Sequence, residues 1–72
     1  MSELTDRIRA NLDGEWRTTA EIADASGIPG MRSEAVKRTY RVLLAEHRKG
    51  YAERRAEESE RGGKRTYWRR TP

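Results

Sequence analysis

Residues 33–49, followed by Gly50, read as one unbroken helix. A rod of about 25 Å in a chain of 72 residues decides where everything else can pack. Ser33 is read as its N-cap, and Glu34 suits the positive end of the helix. Arg48 and Lys49 suit the negative end, and Gly50 offers the left-handed stop. At about 100° per residue, Val36, Tyr40, Leu43, Leu44 and His47 fall on one face. The opposite face carries Arg38, Arg41, Ala45 and Lys49, with Lys37 and Arg48 on its shoulder. One side therefore suits a core and the other an anion.

The expected unit is a single domain spanning residues 1–72. A chain this short buries only about 60% of its unfolded surface, so each large apolar side chain matters. Apolar residues make up 33% and charged residues 39%, a composition that leans toward disorder. The apolar residues nevertheless recur at helical and strand spacing, and that argues for a folded domain. With no cysteine and one histidine, no disulfide, thiolate nucleophile or structural zinc is expected. No apolar run reaches the length of a signal or membrane segment, so a soluble cytoplasmic protein is expected, with no membrane partner.

Charge is distributed unevenly. Residues 1–31 carry a balance of −3 and residues 32–72 a balance of +7. Such asymmetry gives a molecule one side for a polyanion and a neutral-to-acidic back. Thirteen of the 16 cations are Arg, the residue that meets phosphates and guanine edges with two parallel hydrogen bonds. A GC-rich genome would give the same Arg bias, but it would not give the asymmetry.

In chain order, a first helix is expected from about Ser2 to Asp13-Gly14, with Leu4, Ile8 and Leu12 as its apolar stripe. Glu15-Trp16-Arg17-Thr18 reads as a short strand with Trp16 as a buried anchor. Thr18-Thr19-Ala20-Glu21 has the form of a capping box and opens a helix over residues 18–26 that turns Ile22 and Ala23 inward. Ser26-Gly27 ends it. Two Gly and a Pro forbid helix in the following turn, where Ile28 is read as a core plug. Beyond Gly50, two alternating stretches within residues 51–70 flank a charged loop with Gly62-Gly63, the pattern of a hairpin. Trp68 is expected to cover the open end of the core.

This order resembles the winged helix-turn-helix family of DNA-binding domains over nearly the whole chain. Thr18, Glu21, Ile22, Ala23, Ser26, Gly27 and Ile28 fit that family's pattern T-x-x-E-I-A-x-x-S/T-G-I/V. Gly50-Tyr51-Ala52-Glu53-Arg54-Arg55 resembles the turn into its wing, and Tyr67-Trp68-Arg69 its last strand. The resemblance implies an α+β fold of three helices, a short strand and a C-terminal β-hairpin wing. It also implies that residues 33–49 form the recognition helix and residues 56–63 the wing tip. The turn between the two motif helices is about three residues longer here than is usual, and the second helix about one turn longer.

The expected ligand is double-stranded DNA. Lys37, Arg38, Arg41 and Arg48, with Arg32 and Ser33, would meet the major groove, and Arg61, Lys64 and Arg65 the backbone or minor groove. The bland counterpart is a solvated helix face and an edge strand charged against aggregation. Thr18 and Thr19 could receive a phosphate, although capping accounts for them. His47 is read as structural, and Val42 as leaning outward.

A small transcriptional regulator or recombination accessory factor of bacterial or phage type follows, acting as a homodimer or with cooperative neighbours on DNA. No catalytic constellation appears, so neither enzyme activity nor a cofactor is expected. With no residues to spare for a sensor domain, no small-molecule ligand is expected either. The alternatives are a protein-interaction module using Val42 and Met31, and an RNA binder stacking bases on Tyr67 between Arg65 and Arg69.

Overall fold

The computed structural model describes residues 3–58, 60 and 62–72. The elements are α1 (Glu3–Ala10), β1 (Arg17–Thr18), α2 (Thr19–Ser26), α3 (Arg32–Arg48), β2 (Ala52–Glu58) and β3 (Lys64–Arg70). Three helices pack with a three-stranded antiparallel sheet of order β1-β3-β2, an α+β architecture. No helix among the described residues is long and apolar enough to cross a membrane.

Helix α1 stops at Ala10, short of the expected Asp13. The Asn11 side chain donates to the Arg7 carbonyl at 2.9 Å, and the last turn tightens into i to i+3 bonds that carry Leu12 into the core. Helix α2 opens on the capping box: the Glu21 amide donates to Thr18 Oγ1 at 3.1 Å, and the Glu21 carboxylate accepts from the Thr18 amide.

Gly27 and Gly50 close α2 and α3 in the same way. Each takes a positive φ, 62° and 88°, that lets its own amide and the next one turn back to the last carbonyls. At Gly50 those bonds are Gly50 N–H to His47 O at 3.0 Å and Tyr51 N–H to Glu46 O at 2.9 Å.

The start of α3 differs from expectation. Its N-cap is Met31, which makes no side-chain cap bond, and Ser33 lies exposed in the first turn. The turn at Gly30 has already reversed the chain, so the Met31 carbonyl accepts the first helical bond from Ala35 at 2.9 Å. The core face is rotated as well. Ala35, Thr39, Leu43 and Glu46 are the buried line, while Val36, Tyr40, Val42 and Leu44 pack partly buried beside it. Counting only large apolar residues missed this, because helices approach closely over small ones. Thr39 fits there by donating its hydroxyl to the Ala35 carbonyl at 2.8 Å. Val42, expected to lean outward, is held against the core, and Met31 is the exposed residue of that pair at 76%.

Trp68 lies in the core as expected, whereas Trp16, expected as a buried anchor in the short strand, does not. Trp68 is fully buried on β3, the central strand, and Trp16 is only half-buried outside β1. A central strand can cover a ring from both sides; an edge of two residues cannot. Trp68 donates Nε1–H to Thr19 Oγ1 at 2.8 Å and meets the rings of Tyr40 and His47 edge-on. Every buried side-chain nitrogen and oxygen among the described residues has a hydrogen-bond partner.

The hairpin is longer than expected and its tip shorter. Ala56, Glu57 and Glu58 belong to β2, not to the loop. Glu57 faces Arg65 and Glu58 faces Lys64, opposite charges that extend the ladder.

Candidate nucleic-acid interface

The buried line of α3 leaves the other side of the helix to solvent, and at 3.6 residues per turn Lys37, Arg41 and Arg48 lie near its middle. All three are exposed. Among the described residues none of them has a carboxylate within ion-pair distance, and the same holds for Arg38, Lys49, Lys64 and Arg65.

The other arginines of the described residues, with Arg32 at the start of α3 among them, meet a carboxylate, all but Arg54 and Arg70, which donate to the Tyr40 hydroxyl and the Arg9 carbonyl. Arg7 meets Glu3, Arg9 meets Glu46, Arg17 meets Asp13, Arg32 meets Asp24, Arg55 meets Glu57 and Arg69 meets Glu53. The cations are thus largely sorted by place: mostly paired around the molecule's back and outer sheet face, and without a carboxylate along α3 beyond Arg32 and at the start of β3.

The sequence-level site residues fall into three groups. Lys37, Arg41 and Arg48 share the outward face of α3. Arg38, which was expected beside Arg41, turns to the flank and lines a cleft of about 260 Å³ with Glu3, Leu4, Arg7 and Pro29. Arg32, Lys64 and Arg65 meet in a groove of about 470 Å³ between the start of α2, the start of α3 and the base of the hairpin, with Thr18, Thr19 and Val36 in its wall.

That groove contains one carboxylate, Glu21, and it is engaged by the Thr18 amide at 3.4 Å and the Thr18 hydroxyl at 3.0 Å. Arg32 is 73% exposed at its side chain and 3.4 Å from an exposed Asp24, an ion pair that water screens strongly. Arg61 lies outside the described residues. Ser33 is exposed beside Arg32 and caps nothing.

Lys49 was placed on the helix face by periodicity but not counted in the site, although it is exposed and without a carboxylate partner among the described residues. Arg54 was missed altogether. Its register opposite Trp68 puts it on the side of the sheet that faces α3, where it donates to the Tyr40 hydroxyl at 3.0 Å. The signal for it was parity along β2: Ala52 and Arg54 share a face.

On the other side of the sheet the aromatic rings are already occupied by cations. The Arg55 guanidinium lies 4.8 Å from the Trp16 centroid and 5.2 Å from that of Tyr67, and Arg69 lies 4.5 Å from Trp16. His47 donates Nδ1–H to the Ala52 carbonyl at 2.9 Å, since a carbonyl can only accept, and so joins α3 to β2.

Ion pairing shifts the titration of Asp13, Arg17 and Arg9. Asp13 accepts from Arg17 and from the Glu15 amide, which holds its carboxyl below the usual range; Arg17 is raised in return. The hydrogen bond to Glu46 raises Arg9. Both pairs lie away from α3's outward face. Compared with family models, with curated proteins and with solved structures, the chain matches none.

Proposed function

We propose that this chain is a winged helix-turn-helix module that binds double-stranded DNA, as a small transcriptional regulator or recombination accessory factor. Helix α3 would enter the major groove through Lys37, Arg41 and Arg48. Arg32, Lys64 and Arg65 would hold the backbone where α2, α3 and the hairpin converge. The observation that carries this reading is the sorting of charge. A protein with only a solvated surface gains by distributing its ion pairs. Here Lys37, Arg38, Arg41 and Arg48 of α3 have no carboxylate partner among the described residues, and Arg32 at its start has only the exposed Asp24. Cations left so are poised to replace the counterions of a phosphate chain.

The test is titration of a labelled duplex at several salt concentrations with wild type, Lys37→Ala/Arg41→Ala/Arg48→Ala, and Arg7→Ala. Wild-type affinity should fall steeply with salt, and the triple variant should lose about three units from the logarithmic salt slope. Arg7→Ala should match wild type, because Arg7 is already paired with Glu3 at 2.9 Å. Absence of duplex binding at low salt, or an unchanged triple variant, would reject the reading. Preference for single-stranded RNA would move the contact to the outer sheet face around Tyr67.

A further inference from the structure

β2 is an outer strand of the sheet. β3 pairs with one of its edges, and among the described residues no strand pairs with the other. Such an edge presents unpaired amides and carbonyls along its length. Its side chains follow a particular order: Arg54, Arg55, Ala56, Glu57, Glu58. Two cations and two anions stand in mirror positions about one methyl group.

We propose that two copies of this chain pair through the free edge of β2, antiparallel, with the two-fold axis passing beside Ala56. In that register Arg55 faces Glu57 of the second copy and Arg54 faces Glu58 of the second copy. The symmetry repeats both pairs, so four opposite-charge contacts surround the Ala56 positions.

The faces agree. Register against β3 puts Arg55 and Glu57 on the side of Tyr67 and Arg65, and Arg54 and Glu58 on the side of Trp68 and Lys64. A two-fold perpendicular to the sheet preserves those sides, so each cation meets its anion on one face. Other registers fail. An axis beside Arg55 sets Arg55 against its own copy and Glu53 against Glu57; an axis beside Glu57 sets two Glu57 carboxylates together.

The residues are available. Arg54, Arg55, Ala56, Glu57 and Glu58 are all exposed. Arg54 gives Nη2–H to Tyr40 and Arg55 lies 3.1 Å from Glu57 of its own strand, but a guanidinium has five N–H groups and keeps others free for a second acceptor. The helical layers have room as well. α3 meets β2 at Ala52 through His47 and at Arg54 through Tyr40. The paired copies' Ala52 positions would stand about 26 Å apart and their Arg54 positions about 13 Å apart along the strand direction, against a helix diameter of about 10 Å. The product is a six-stranded sheet with both α3 helices on one face. Edges guarded against pairing carry charged side chains or a proline, and charges block a second copy where like signs would meet. This edge carries both signs in complementary order.

The experiment is sedimentation equilibrium over a wide concentration range on wild type, Arg54→Glu/Arg55→Glu and Glu57→Arg/Glu58→Arg, with circular dichroism to check folding. Wild type should dimerise, and more weakly as salt rises. Each charge-swapped variant alone should associate roughly a hundredfold less or weaker still, because four attractive contacts become repulsive. An equal mixture of the two should recover a dimer that contains one of each. Hydrogen exchange of the wild-type β2 amides, slowing as concentration rises, gives a readout that needs no variant. A wild type that stays monomeric on the order of 1 mM, exchange at β2 that ignores concentration, or folded variants that still dimerise alone would each overturn the proposal. None of these outcomes depends on DNA, so the pairing and the DNA reading stand or fall separately.

Discussion

Arg9 grips Glu46 with two hydrogen bonds, Nε–H to Oε2 at 2.9 Å and Nη2–H to Oε1 at 3.1 Å, and so ties α1 to the last turns of α3. The Glu46 side chain is 2% exposed and that of Arg9 31%. The Tyr51 ring, 5.1 Å from the guanidinium, closes over the pair. A carboxylate taken from water in this way is held by its partner's geometry, and removing one side leaves the other without compensation.

Glu46→Ala should therefore destabilise the fold far more than Glu3→Ala, whose exposed pair with Arg7 is worth less than about 0.5 kcal/mol. The two residues should also be coupled: Arg9→Ala/Glu46→Ala should cost less than the sum of the single changes. Urea unfolding of wild type and the four variants measures both. Equal losses from Glu46→Ala and Glu3→Ala would mean that the pair does not join the helices.

Thr19 and Trp68 link the start of α2 to the centre of the sheet. Thr19→Val keeps the shape and removes the acceptor, leaving the indole N–H buried with no partner. A loss of about 1–3 kcal/mol is expected. Denaturant unfolding followed by fluorescence in a Trp16→Phe background would report Trp68 alone. A loss within about 0.5 kcal/mol would show that the bond is dispensable.

Acid should reach the fold through Asp13. Its folded carboxyl lies below the ordinary value because Arg17 and then the Glu15 amide donate to it. At a pH near its unfolded value of about 3.9, the folded state therefore binds fewer protons at this site than the unfolded chain does. The stabilisation is present above that value and is lost as pH falls through the lower folded value. Asp13→Asn should flatten this part of the acid limb and leave the neutral-pH side of the curve unchanged in shape. Thermal unfolding between neutral pH and about pH 2 tests it, and an NMR titration of the Asp13 carboxyl gives the shift directly.

Local chemistry was readable where neighbours in sequence are also neighbours in space. The Thr18 and Glu21 box, the left-handed stops at Gly27 and Gly50 and the alternation along β3 each depend on a few adjacent residues, and each stands as the residues indicated. The charged side of α3 was legible in part for the same reason. Spacing counted from the large apolar residues centred it on Arg38, Arg41 and Lys49 and left Lys37 and Arg48 on its shoulder, whereas the buried line puts Lys37, Arg41 and Arg48 at its middle.

Other readings failed where a distant element decides the outcome. Periodicity ranks Val36 and His47 as core and says nothing for Ala35, Thr39 or Glu46. The approach of α1 and α2 makes small residues and a paired carboxylate the buried line. Arg38 and Arg41 sit one turn apart in sequence, but the α1 flank draws off Arg38. Ser33 is a good capping residue in the wrong place, because the turn at Gly30 starts the helix before it.

From its sequence alone, then, this protein's elements, their order and the outward charge of its long helix could be read, since these depend on backbone preference and spacing within one segment. Only the tertiary structure decided which arginines are spent on ion pairs, which tryptophan fills the core and which edge of the sheet is left open. Those outcomes depend on distances such as Arg9 to Glu46 and Trp68 to Thr19, across 37 and 49 residues of chain. Packing sets such distances, and no local pattern encodes them.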